Sequence, residues 1–222
     1  MLTPGTNPFD GSIFLSTDSD AAGGHARRST ITIDASFFDR PAAEVAKDLI
    51  GKILESRIDG KNVSGIIVET VAYTGEGDSQ SHNYKVCKGQ QVDWQAGALY
   101  IYSTQGHTML TVTTAPFKEG STVLIRALEP LGGVDEMLER FGAGAAKDIL
   151  NTLTKGPGKL SKALGITPDY NGHNMLGERA EISIFPGFEL PVDQIRSSKR
   201  KGDTPGIAEN LRFFRAENEW VS

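Results

Sequence analysis

The sequence has very little cysteine and no long apolar run, and both shortages exclude classes of protein. A single cysteine, Cys87, cannot form an intramolecular disulfide framework or a cysteine-based zinc site, and it suits a reducing compartment. No apolar stretch approaches the ~20 residues that a membrane span requires. We therefore expect a globular protein that is not integral to a membrane and has no disulfide scaffold.

An excess of basic charge is also missing. The formal net charge is −5 and the isoelectric point is about 5.4, which argues against nonspecific affinity for DNA. Two segments depart from this balance: residues 147–162 carry four lysines against one aspartate, and residues 196–201 carry four basic residues and no acid. Such segments suit either a phosphate backbone or a solvated surface.

Nucleotide-binding loops are absent as well. No G-x-G-x-x-G lies in a β-α-β context, and Gly156-Pro157-Gly158-Lys159 lacks the spacing of a phosphate-binding loop. Residues 1–33 are rich in Gly, Ser, Thr, Asp and Pro without periodicity, which predicts a disordered tail. Residues 34–222 show no internal repeat and no linker, so we expect a single domain.

The periodicity of apolar residues predicts an α+β fold, because locally paired strands have helices set between them. The predicted strands cover residues 52–58, 63–73, 98–103, 108–114, 122–128, 181–185 and 212–215. The predicted helices cover residues 41–50, 131–140, 144–153 and 158–164. Within the second strand, Glu69, Val71 and Tyr73 alternate and should share one face.

Five segments, taken in order, resemble the alkyladenine (3-methyladenine) DNA glycosylase family. They are the helix entry Phe37-Phe38-Asp39-Arg40-Pro41, Ile67–Tyr73 with His82, Leu99–Tyr102, Val123–Leu131 with Gly156–Leu160 and Leu164–Ile166, and the end of the chain at Leu211–Phe214 and Trp220–Ser222. The resemblance implies a single-domain monomer with a curved, mostly antiparallel or mixed sheet flanked by helices. It implies no metal or organic cofactor, and a partner that is double-stranded DNA containing an alkylated or deaminated purine.

The resemblance also implies roles for single residues. Tyr73, His82 and Tyr102 match the rings that hold a purine flipped out of the duplex, and we expect Tyr102 to face away from Tyr100. Thr111 stands in place of a pocket asparagine that controls base selectivity. Gln105 stands in the turn whose residue fills the gap left by the flipped base.

Charged residues complete the implied site. Arg126 is expected to organise the charge of the pocket, and Glu69 is either a candidate for activating water or a structural partner of Arg126. The residues expected to contact DNA phosphates are Lys155, Lys159, Arg196, Lys199, Arg200 and Lys201.

The chain departs from the family at the position that decides activity. The family has a second glutamate two residues after the first, as the base that activates the attacking water, and Val71 stands there instead. The segment 88–95 also lacks the family's usual residues. Three hypotheses follow: a glycosylase restricted to cationic lesions, a protein that binds lesions without cleaving them, or a pocket for a free base, nucleoside or RNA. A glycosylase would work at the bacterial nucleoid in the cytoplasm, or in a eukaryotic nucleus.

Overall fold

The computed structural model describes residues 33–75, 77–87, 95–115, 120–142, 149–177, 180–201 and 209–222. Eight strands in these ranges form one sheet, and every strand pair in it is antiparallel. They are β1 (Ile53–Ser56), β2 (Val63–Tyr73), β3 (Leu99–Thr104), β4 (His107–Thr113), β5 (Thr122–Gly132), β6 (Ile182–Phe185), β7 (Ile195–Ser198) and β8 (Arg212–Arg215). With few short helices beside this sheet, the predicted α+β class is confirmed.

Strand β2 is the centre of the sheet. One of its edges pairs with β5 along its whole length, and the other edge is shared between β1 near its start and β8 near its end. The order β3-β4-β5-β2-β1-β6 follows, while β7 joins through β8. This division of the β2 edge places the C-terminal part of the chain directly beside residues 69–71.

Helices cover one face of the sheet and bury the main core there. They are α1 (Ala35–Phe38), α2 (Ala42–Asp48), α4 (Val134–Glu139) and α5 (Pro157–Leu164), whereas α3 (His82–Cys87) contributes no residue to that core. The side chain of Thr70 donates a hydrogen bond of 2.7 Å to the carbonyl of Ala46 in α2, so Thr70 points towards the helices. Ala72 belongs to the same core. The residues between them, Val71 and its alternating neighbours, therefore face the other way.

Two of the three register shifts between β2 and β5 change which side chains lie on that second face. The register shifts between Ile67 and Glu69 and shifts back between Glu69 and Thr70, so that Val68 on β2 and Arg126 on β5 are each an extra residue. Bulges re-aim side chains and restore pairing beyond them. Here they bring Glu69 and Arg126 into contact.

Several predicted boundaries are corrected by the structure. Strand β5 continues to Gly132 instead of ending near 128, because Leu128 and Pro130 still pair with β2, and the next helix begins only at Val134. Of the predicted helix 144–153, residues 143–148 lie outside the described ranges, and Leu150–Thr152 is a 3₁₀ turn. Strand β7 and helix α3 were not predicted.

Most of the predicted tail also lies outside the described residues. Its last residue, Ile33, is 9% exposed, packs in the main core and donates its N–H to the carbonyl of Ile184. The domain therefore begins one residue earlier than the composition suggested. No helix in the described ranges is both long enough and apolar enough to cross a membrane.

Candidate functional site

The face of the sheet opposite the main helices carries the residues singled out from the sequence. Cross-strand pairing aligns Val71 with Leu124, Leu124 with Thr111, and Thr111 with Tyr100, so that β2, β5, β4 and β3 contribute to one row. Their strand neighbours Val112 and Ile125 are fully buried in the core on the other face. The alternation of each strand thus separates a packed side from a polar and aromatic side.

Three rings gather at the β3 end of this face. The rings of His82 and Tyr102 stack with centroids 4.1 Å apart and planes within 5° of parallel. Tyr100 lies 5.4 Å from Tyr102, and its hydroxyl is 2.6 Å from Nδ1 of His82. The expectation that Tyr100 faces away from Tyr102 was wrong, because residues two apart in a strand point to the same side. Tyr100 is one of the site residues that the sequence argument missed.

Burial keeps these rings uncharged. Desolvation, followed by the charge of Lys85, lowers the pKa of His82 below its ordinary value, so the imidazole is neutral near pH 7. Desolvation raises the pKa of the Tyr102 hydroxyl above its ordinary value. A centroid separation of 4.1 Å is direct stacking contact, so a planar ligand has no room between His82 and Tyr102. Such a ligand can only stack on an outer side of the pair.

Tyr73 is covered on one ring face by an arginine. The guanidinium carbon of Arg200 lies 4.7 Å from the Tyr73 centroid, and its two terminal nitrogens donate to the carboxylate of Asp78 at 2.9 and 3.0 Å. Asp78 also accepts the backbone N–H of Thr74 and of Gln80. Arg200 is only 8% exposed, and its Nε is buried without a partner in the described part of the chain. The expected contact of Arg200 with a DNA phosphate is therefore corrected: its charge is already neutralised by Asp78.

Glu69 lies at the centre of a second charged network. Its Oε1 accepts from Nε of Arg212 at 2.6 Å and lies 3.0 Å from Nε of Arg126, and its Oε2 accepts the backbone N–H of Ser222 at 2.7 Å. Arg126 also donates to the Ser222 hydroxyl at 2.9 Å. The Glu69 side chain is fully buried. Both of its oxygens are engaged, which favours the structural interpretation of Glu69 over the activation of water.

Val71 occupies the gap between these two networks. It is 3% exposed and pairs with Arg212 on one side and Leu124 on the other. Neither apolar cluster of the core includes it. An aliphatic side chain therefore stands between Glu69 and Tyr73, with charged groups at both ends.

The Nε of Arg126 is bonded, whereas its two terminal nitrogens are not bonded to any described residue. Its side chain is 22% exposed, and no group among the described residues accepts a hydrogen bond from its two terminal nitrogens. These nitrogens remain donors for a ligand at the open face.

Most of the other predicted cationic residues are accessible. Arg196 and Lys199 are exposed on and after β7, and Lys159 is exposed while donating to the Thr152 hydroxyl at 2.7 Å. Lys155 donates to the carbonyl of Glu219 at 2.8 Å, and Lys201 donates to the carbonyl of Ser222. Burial lowers the pKa of Lys201, and the positive charge of Lys155 is among those that lower it further. The two basic segments of the sequence therefore meet above the C-terminal residues.

The β3–β4 hairpin presents Gln105 at its tip. Gln105 is exposed and has a left-handed backbone with φ of 50°, so it projects beyond the sheet. Thr111 is 1% exposed, and its hydroxyl donates to the carbonyl of Tyr100. Its role in base selectivity stays a prediction, as does that of Gln105. Residues 88–94 of the atypical segment lie outside the described ranges.

Comparison with known proteins gives consistent matches over the whole domain. A sequence model described as methylpurine-DNA glycosylase matches residues 36–219. A protein of Chlorobaculum parvum named "Putative 3-methyladenine DNA glycosylase" is 38% identical over 194 residues, which is 86% of this chain and 90% of that protein. Proteins of the same name from Methanoculleus marisnigri and Bacillus licheniformis are 37% and 35% identical, covering 86% and 84% of this chain and 99% and 94% of theirs.

Proposed function

The chain belongs to the methylpurine-DNA glycosylase family, and we propose that it works as a monomer that flips an alkylated purine out of duplex DNA and hydrolyses its N-glycosidic bond. The observation that carries the proposal is the cluster of uncharged rings on the face of the sheet opposite the main helices, together with Arg126, whose terminal nitrogens have no acceptor among the described residues. Rings that bind a base by stacking need no charge and form no covalent bond.

The geometry suggests where such a base would lie. One face of Tyr73 is occupied by Arg200, and the space between His82 and Tyr102 is closed. The purine would therefore stack on the side of Tyr73 away from Arg200 and against an outer side of the His82–Tyr102 pair. Stacking on aromatic side chains contributes about 1–3 kcal/mol per base. An electron-poor alkylated purine gains most from such rings.

The proposed range of lesions follows from the carboxylates. Asp78 accepts four hydrogen bonds, from Arg200 and from two backbone N–H groups. Both oxygens of Glu69 are engaged, by arginines and by the Ser222 N–H, and Val71 has no carboxylate. A 3- or 7-alkylated purine is a good leaving group because it is already cationic, so its release requires less help from a base. A neutral base such as hypoxanthine needs stronger catalysis. We propose that the protein excises cationic purines and acts poorly on neutral ones.

Single-turnover excision tests this directly. We expect measurable release of 7-methylguanine and little release of hypoxanthine from otherwise identical duplexes. Val71→Glu should raise hypoxanthine release by about 10²–10⁴-fold, the usual contribution of a positioned base. Val71→Gln is the matched control, because it has the same size without the charge and should give no gain. Equal rates on the two lesions in the unmodified protein would refute the restriction.

A second candidate function is recognition of lesions without cleavage. The same engagement of Glu69, together with the buried Val71, favours it. Preferential binding to a lesion duplex, with no abasic product after long incubation, would support this alternative. Activity appearing only in Val71→Glu would then show that the pocket still positions the base correctly.

A further inference from the structure

Asp78 and Arg200 form the most deeply buried ion pair among the described residues, and it lies beside Tyr73. The Arg200 side chain is 4% exposed and the Asp78 side chain is fully buried. The guanidinium carbon of Arg200 lies 4.7 Å from the centroid of the Tyr73 ring. Asp78 accepts the N–H of Thr74, the residue after Tyr73, at 3.2 Å. Both charges of the pair therefore lie close to a ring that we propose as one wall of the base site.

Asp78 is the single counter-charge of Arg200 in the described part of the chain. The two terminal nitrogens of Arg200 donate to the two oxygens of Asp78 at 2.9 and 3.0 Å, and no second ion pair reaches this guanidinium. The other donors to Asp78 are neutral backbone N–H groups. Solvent and salt screen a buried pair only weakly. The charge behind Tyr73 is therefore determined by Asp78.

The Tyr73 ring lies in the field of both charges. Burial raises the pKa of Tyr73, Arg200 acts to lower it, and Asp78 acts to raise it. The phenol is therefore uncharged near pH 7, and the two neighbouring charges act on it in opposite senses. While Asp78 is charged, the two fields largely cancel at the ring. Without that carboxylate, a cation would remain against one ring face.

A cation behind Tyr73 matters because the same π-system has to bind the lesion. The face of an aromatic ring attracts a cation through its quadrupole. Arg200 already uses one face, so a cationic purine on the other face would meet a second positive charge across the ring. Like charges repel strongly where burial lowers the effective dielectric constant. A neutral purine of the same shape would not be repelled in this way.

We propose that Asp78 determines specificity for charge: by neutralising Arg200 behind Tyr73, it allows the free face of the ring to bind a cationic purine. This rests on the proposed function, because it takes Tyr73 as a wall of the base site. Asp78 acts through Arg200, contacts no substrate and transfers no proton. Its effect is therefore on the affinity for a charged base rather than on hydrolysis.

Two duplexes that differ only in the charge of one base test the proposal. One contains 7-methylguanine, and the other contains 7-deaza-7-methylguanine, in which carbon replaces N7 and the base is neutral with the same shape. Both have a 2′-fluorinated sugar at that position, so the glycosidic bond stays intact while Kd is measured by fluorescence anisotropy. We expect Asp78→Asn to bind the cationic duplex about tenfold more weakly, the size of a cation–π contact, and the neutral duplex as before.

The partner variant separates charge from structure. Arg200→Gln removes the cation behind the ring, so its affinity for the cationic duplex should be at least that of the unmodified protein. Combining Asp78→Asn with Arg200→Gln should restore the affinity that Asp78→Asn alone loses. Glu139→Gln is the control for the loss of one negative charge, because Glu139 lies in the exposed pair with Lys61. Circular dichroism confirms that each variant is folded, and Arg200→Gln tests the proposal by itself if Asp78→Asn does not fold.

The outcomes distinguish this inference from the proposed function. If Asp78→Asn and Arg200→Gln both weaken the two duplexes equally, the pair only maintains structure, and the inference is overturned while the glycosylase proposal stands. Unchanged affinities in both variants, or a loss of cationic binding in Arg200→Gln, overturn it as well. An unmodified protein that binds neither lesion better than undamaged DNA refutes the proposed base site, and the role of Asp78 with it.

Discussion

Glu69→Gln is the substitution that best separates a structural carboxylate from a catalytic one. Glutamine has the same size but removes the charge that Arg212 and Arg126 share, and its amide cannot satisfy both guanidinium groups. Removing one partner of a buried ion pair costs about 3–5 kcal/mol, because the other charge stays buried without compensation.

The geometry determines where in that range the loss should fall. The Arg212 side chain is 10% exposed, so its guanidinium cannot recover full solvation. Arg126 is 22% exposed and retains contact with water, which moderates the loss. We therefore expect about 3 kcal/mol, near the lower end. For a chain of this size each kcal/mol shifts Tm by about 2–4 °C, so Tm should fall by about 6–12 °C.

Thermal unfolding followed by circular dichroism, with urea unfolding beside it, measures this loss. Glu139→Gln is the matched control, because Glu139 forms a solvent-exposed pair with Lys61 at 2.7 Å and such pairs contribute little to stability. Single-turnover excision should be run on the same variants. If Tm of Glu69→Gln equals that of Glu139→Gln while excision falls about 10²-fold or more, Glu69 is the base and our structural interpretation is refuted.

Two further predictions concern acidity and backbone geometry. Burial lowers the pKa of His82 in the folded state, so on acidification the unfolded chain binds a proton at His82 before the folded chain does. The free energy of unfolding should therefore fall as pH drops through about 6.5. His82→Gln should make Tm depend less on pH between about 5 and 8. Gly133→Ala should lower the free energy of unfolding in urea more than Gly60→Ala does. Both glycines have φ near +70°, where an alanine costs about 1–2 kcal/mol. Only the Cβ at position 133 would also clash with a backbone atom, the Asn62 carbonyl oxygen at 2.4 Å. Equal losses would mean that left-handed strain alone matters.

The periodicity of apolar residues predicted most of the strands, because a strand with one buried face alternates apolar and polar residues. The bounds predicted for β2, residues 63–73, are those of the structure. Strand β7 escaped prediction because its four residues, Ile195–Ser198, have no apolar alternation and exist through pairing with β8. Helix α3 is also short, with six residues. Elements defined by their partners rather than by their own pattern cannot be found from local sequence.

Within the site, the residues that face it from each strand were easier to predict than the partners of each side chain. Alternation placed Tyr73 on the face of Glu69, whereas Tyr102 was assigned from the family resemblance, and alternation applied to β3 would have added Tyr100. The contact between Glu69 and Arg126 was anticipated as one alternative. Arg212 was not, because it is 143 residues from Glu69 along the chain and reaches it only through the pairing of β8 with β2.

Arg200 and Lys201 show why a run of basic residues does not predict a binding surface by itself. Adjacent in sequence, they differ because the fold pairs Arg200 with Asp78, whereas Lys201 forms no ion pair with a side-chain carboxylate of the described residues and donates to the Ser222 carbonyl. Local charge also differs from the net charge of the chain. Where Lys155 and Lys201 meet, Glu69 is already shared by two arginines, so this face is locally cationic although the net charge is −5. A phosphate backbone responds to that local field rather than to the total, since charges beyond a Debye length of about 8–10 Å are screened.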